Sequence, residues 1–166
     1  MKSYLSIAAL GLAAACGSTG GSTTTSTAPV AASLAAVDRL SGQSFANMLN
    51  GVREVNGAGG VVFDSRLGVA AQRHADDMQA NPGIEHVGSD GSTPGSRATD
   101  AGYNFRNLAE NIAWGYSDEE AVLRGWIQSP GHQANNINPI YEDFALAKAG
   151  SGSGQTWVLM LGREWP

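Results

Sequence analysis

The chain has 166 residues, a hydrophobic fraction of 42%, a formal charge of -5 at neutral pH and a pI near 5.0. That length suits one ordinary domain, and its Lys and Arg residues, scattered singly, form no basic stripe that would serve nucleic acid. A lone cysteine excludes an internal disulfide, so packing alone must hold the fold.

Residues 1–15 have the make-up of an export signal. Lys2 supplies a short positive start, and Tyr4 to Ala15 is apolar but too short to span a membrane as a mature helix. The stretch ends "LAAAC" and resembles a bacterial lipoprotein signal, in which Cys16 is lipidated and becomes the mature N-terminus. Leu12 stands four residues before Cys16, where the common lipoprotein pattern has it three before. A plain secretory signal with an incidental cysteine is the other reading. Either way the chain is directed out of the cytoplasm, and lipidation would make the membrane its partner. Residues 16–36 read as the lipidated cysteine and a Gly/Ser/Thr-rich tether without charge until its end, and residues 37–166 as a single domain.

Within the domain, Phe45, Met48, Leu49 and Val52 fall at i, i+3, i+4 and i+7, which predicts a helix from about Ser44 to Val55. "NGAGG" breaks it and "VVF" reads as a short strand. Asp64 is placed to cap a second helix carrying Leu67, Ala71, His74 and Met78 on one face and stopping before Pro82. His74 therefore reads as a packed core histidine with one satisfied nitrogen. Residues 81–107 are loop-like and contain His86. Ser117 and Glu120 fit a capping box for a third helix, which Ser129-Pro130-Gly131 ends, leaving His132 in a loop. "FALAKA" and "TWVLML", separated by "GSGSGQ", read as a terminal hairpin. The sum is an α+β or layered α/β/α domain.

One stretch is out of place by composition. "LAENIAWG" puts Glu110 and Asn111 among Leu108, Ala109, Ile112, Ala113 and Trp114, all of which read as buried. A buried carboxylate needs partners. His86 and His132 lie on either side of it in sequence, but no local spacing such as HExxH or paired cysteines ties the three together.

The motifs "AAQRHADDM", "HVGSDGST", "AGY", "AENIAWG" and "SPGHQANNI", in that order, resemble the CAP superfamily of cysteine-rich secretory, antigen 5 and pathogenesis-related 1 proteins. The likeness is to its disulfide-free bacterial branch and spans about residues 40–165. Gln133 stands where that family commonly has arginine. The resemblance implies an α-β-α sandwich with a central cavity in which His86, Glu110 and His132 converge. It also implies a divalent metal such as zinc on His86 and His132, with Glu110 as ligand or anchor behind them. Three functions follow as expectations. The first is a lipid-anchored extracytoplasmic protein whose cavity binds a metal or small ligand. The second is a hydrolase acting on peptides or cell-wall material with His132 or Glu110 as base, although Ser129 near His132 lacks the G-x-S-x-G setting of a nucleophile. The third is a module that binds lipid or a partner protein.

Overall fold

The computed structural model describes residues 27–83 and 85–166. Cys16 and the leader before it lie outside the described residues. Ten elements follow in chain order, with one short 3-10 turn in the final hairpin. They are α1 (Ala28–Arg39), α2 (Phe45–Val55), β1 (Val62–Phe63), α3 (Ser65–Ala80), α4 (Pro94–Asp100), β2 (Phe105–Trp114), α5 (Glu119–Gln128), α6 (Pro130–Asn136), β3 (Asp143–Ala149) and β4 (Thr156–Glu164).

The strands form one sheet in the order β1-β3-β4-β2. β3 and β4 are the expected terminal hairpin, and β2 runs antiparallel to β4 with Glu110 opposite Met160. Side chains of a strand alternate between faces, and β4 shows both faces covered. Trp157, Leu159 and Leu161 pack with α1, α2 and α5, through Val37, Leu49 and Trp126 among others. Val158 and Met160 pack with α3 and α4, through Leu67, Ala71 and Ala98. The domain is thus an α-β-α sandwich, as expected. Each apolar face hides the stripe of a helix whose periodicity is legible in the sequence.

The helix starts are chemical. Ser44 and Asp64 cap α2 and α3 by accepting from backbone N–H groups, Asp64 from both Arg66 and Leu67. At α5 the capping residue is Asp118, which accepts from Ala121 N–H, whereas the Ser117 hydroxyl donates to Asp118. The expected Ser117–Glu120 capping box is therefore shifted by one residue, because the ionised carboxylate is the stronger acceptor for the first turn.

Three further expectations give way to the structure. α1 begins at Ala28, inside the segment read as tether. Its alanines make poor sequence signals, but Ser33, Ala36 and Val37 are buried. The loop-like stretch 81–107 contains α4, started by a capping box between Thr93 and Ser96. Trp114, read as buried, is 42% exposed, because it ends the edge strand β2 where the covering helices stop.

Candidate functional site

β2 is the edge strand that carries both polar residues of "LAENIAWG". Consecutive residues point to opposite faces, and the partners follow that rule. Glu110 meets α3 and α4, and Asn111 meets α6. The Asn111 amide donates to the His132 carbonyl at 3.1 Å and to Asn136 Oδ1 at 2.9 Å, and its Oδ1 accepts from Asn135 at 2.8 Å. Asn111 therefore fastens α6, and with it the backbone of His132, to the strand.

Glu110 is buried and its two oxygens are taken by different groups. Oε2 accepts from Arg97 Nη2 at 2.7 Å, with both side chains almost wholly buried. Oε1 lies 2.9 Å from His86 Nδ1, and that ring is 49% exposed. His74 Nε2 approaches the same Oε1 at 3.8 Å. The company that a buried carboxylate requires is thus one guanidinium and two imidazoles. A carboxylate only accepts, so His86 Nδ1 carries the proton and its Nε2 is left as the lone-pair nitrogen of the neutral ring.

His132 is not a loop residue. Pro130 at the first position of α6 starts a new helix at once, and His132 sits in its first turn. Its Nδ1 lies 2.9 Å from Ser129 Oγ, and it makes no hydrogen bond to Glu110 or His86. Burial lowers its proton affinity, and a proton on His86 would lower it further. The structure therefore joins His86 to Glu110 directly, whereas His132 is tied to Asn111 and Ser129 instead.

Two site residues escape sequence reasoning. Arg97 lies in a stretch that reads as loop, and only the cap residues Thr93 and Ser96 signal its helix. Besides Glu110, it donates to the His86 carbonyl at 3.1 Å and to the Ser92 carbonyl at 2.9 Å. His74 is the packed histidine expected, with Nε2 donating to the Glu85 carbonyl at 2.7 Å. Burial lowers its proton affinity against the pull of Glu110, so it stays neutral at physiological pH. What the sequence does not show is that it packs against Glu110.

The "HVGSDGST" motif is explained by the loop it builds around these residues. Asp77 of α3 accepts from the backbone and hydroxyl of Ser89 at 2.7 and 2.6 Å, and Asp90 accepts from Ser92 N–H at 2.8 Å. A side chain at Gly88 would meet Asp77 Oδ2 and Ser92 Oγ, each at 2.8 Å. Gly91 has a φ of +80°, where residues with a side chain are strained.

For a metal, His86 Nε2 and His132 are the donors on offer, with Glu110 behind His86 as the carboxylate that fixes the tautomer. Among the described residues no group of three or more His, Cys, Asp or Glu side chains is gathered to hold an ion. The side chains present thus offer two imidazoles and, behind His86, one carboxylate already held by Arg97. A concavity of about 620 Å³ lined by Gly42, Met48, Asp118, Glu120 and Arg124 includes none of the three.

The fold has counterparts among known proteins. The model of the cysteine-rich secretory protein (CAP) family matches residues 46–161. An uncharacterized protein of Bacillus subtilis, YkwD, is 26% identical over 64% of this chain and 41% of its own length. The uncharacterized membrane protein YlbC of the same organism is 27% identical over 63% of this chain and 30% of its own. This chain thus spans less than half of either curated relative. Among solved structures, an extracellular protein of Bacillus anthracis containing an SCP domain superposes with a TM-score of 0.65 at 25% identity, over 72% of this chain and 39% of that one. An outer surface protein of Borrelia burgdorferi has the same TM-score at 21% identity, over 70% of this chain and 87% of that one, a likeness of fold. With the motifs in order, the sandwich formed and the family model matched over most of its length, the chain belongs to the CAP superfamily.

Proposed function

We propose that this is an extracytoplasmic CAP-domain protein, anchored through a lipid on Cys16, whose His86–His132 pair binds a divalent transition metal such as zinc or a small ligand. The observation that carries the reading is the 2.9 Å contact between His86 Nδ1 and Glu110 Oε1. It turns Nε2 of a half-exposed ring outward as a lone-pair donor, the arrangement found behind metal-binding histidines. His132 supplies the second imidazole. A bound ion would provide Lewis acidity and a water of lowered pKa. The protein's part is to fix both rings, through Glu110 for one and through Asn111 and Ser129 for the other.

The location rests on the export signal ahead of Cys16 and on relatives described as extracellular and outer-surface proteins. No helix among the described residues is long and apolar enough to cross a membrane. Calorimetric titration of zinc tests the site. Uptake with micromolar or tighter affinity is expected, lost in the double variant H86A/H132A, and binding that survives it would refute the site. Cys16→Ser should release the protein from membranes, and unchanged fractionation would refute the anchor.

The Ser129–His132 contact at 2.9 Å favours hydrolysis of a peptide or cell-wall bond as a second reading. It requires that S129A abolish turnover of such a substrate while zinc binding persists.

A further inference from the structure

β2 forms one edge of the sheet, and the direction of its backbone groups follows from its ladder to β4. Opposite residues of an antiparallel pair alternate between those that bond each other and those that turn their N–H and C=O away. Gly115, one step past the Trp114–Thr156 pair in the same register, donates to the Gln155 carbonyl at 2.9 Å. Counting back by twos, the backbone groups of Ala113, Asn111 and Ala109 face β4, and those of Ile112, Glu110 and Leu108 face outward. Trp126 Nε1 reaches the Ile112 carbonyl at 3.2 Å, as an outward carbonyl allows. No described residue hydrogen-bonds the outward N–H or C=O of Glu110 or Leu108.

Solvent reaches this unpaired run. Glu110 is 7% exposed as a residue but only 1% in its side chain, so its accessible part is backbone. The opening is a slot, because helices cover both faces of the sheet, α3 and α4 on the Glu110 side and α5 and α6 on the Asn111 side. Trp126 closes it at Ile112, and the register shift between Phe105 and Asn107 interrupts the ladder at the other end. A recessed edge of this kind excludes the sheet of a second copy, whose own flanking helices would meet these first. It admits a single extended chain.

We propose that the outer edge of β2 at Leu108 and Glu110 binds a short extended peptide, which joins the sheet as a fifth strand. The two residues offer two donor–acceptor pairs about 6.8 Å apart, the repeat of every second residue in an extended backbone. Unpaired edges are templates for such addition, and recognition through the main chain tolerates many sequences. The bound peptide lies one side chain's length from the His86 ring, which Glu110 holds at 2.9 Å and which is half exposed. The site is therefore placed to present a peptide to His86. It holds that peptide by backbone alone and requires neither a metal nor hydrolysis.

Amide hydrogen exchange on the intact protein tests the site, with a mixture of acetylated, amidated tetrapeptides randomised at all four positions as the probe. In the free protein, Leu108 and Glu110 are expected to exchange at least about tenfold faster than Ala109 and Asn111, whose N–H groups face β4. The mixture at millimolar concentration should slow Leu108 and Glu110 by about tenfold or more. The same mixture methylated on every backbone nitrogen should leave them unchanged. Three results would overturn the proposal: Leu108 and Glu110 already slow in the free protein, no slowing by the mixture, or equal slowing by its methylated form.

Discussion

Arg97 Nη2 and Glu110 Oε2 are joined at 2.7 Å in the interior, one residue from a helix that the sequence hides and the other from the edge strand. Neither charge is tolerable there without the other. Arg97→Leu is expected to destabilise the domain by about 3–5 kcal/mol, the usual effect of orphaning one member of a buried pair. Urea unfolding of the two proteins measures it, and a loss below about 1 kcal/mol would mean that Glu110 is supported by the histidines alone.

His74 sets a pH dependence. Its folded-state affinity for a proton is lowered by burial, from an ordinary value of 6.5. The unfolded chain therefore binds the proton more readily, and stability must rise with pH through that window. The contribution is fully present above about pH 6.5 and is lost as pH falls through the depressed folded value. Glu110 and Arg97 face the ring with opposite effects, and burial outweighs both. Unfolding free energies at pH 7.5 and pH 5.5 should differ more in the wild type than in H74Q, and identical differences would remove His74 as the cause.

The cap of α5 separates two neighbouring residues. Asp118→Ala should destabilise by about 1 kcal/mol, while Ser117→Ala should lie within about 0.5 kcal/mol of the wild type. The reverse order in thermal melts would restore the serine as cap.

Arg53 gives a sharper expectation, because its fork cannot be copied by lysine. It is fully buried in α2, and its guanidinium donates to the carbonyls of Gly59, Asn136, Asn138 and Tyr141 at 2.6 to 3.1 Å. It thereby pins the chain that leaves α6. Arg53→Lys should cost about 2–4 kcal/mol, because three or more bonds collapse to a point charge. It should also speed amide exchange along α6, and exchange left unchanged there would show that α6 is held by Asn111 instead.

How far the sequence reached depends on the kind of signal. α2 and α3 were legible from apolar spacing and from Ser44 and Asp64, since local physics decides both. The terminal hairpin was legible for the same reason. α1 and α4 were not, because an alanine-rich helix and a seven-residue helix of sequence PGSRATD carry no stripe. Glu110 announced itself as a buried acid, but composition could not choose its partners. His86 was selected by family resemblance and does touch Glu110. Arg97 was missed because a pair separated by 13 residues across a helix and a strand leaves no periodic trace. His132 reads as a loop residue because Ser-Pro-Gly reads as a stop, whereas here proline also begins the next helix.

The central claim is that Glu110 holds His86 with Nε2 outward, so that His86 and His132 form the ligand-binding pair while His74 remains structural. Zinc titration followed on the ¹⁵N resonances of all three histidines tests it in one measurement. The account predicts that His86 Nε2 and the ring of His132 move together and saturate, while His74 stays where it is. Zinc that leaves His86 and His132 unmoved, or that moves His74 alone, would contradict it.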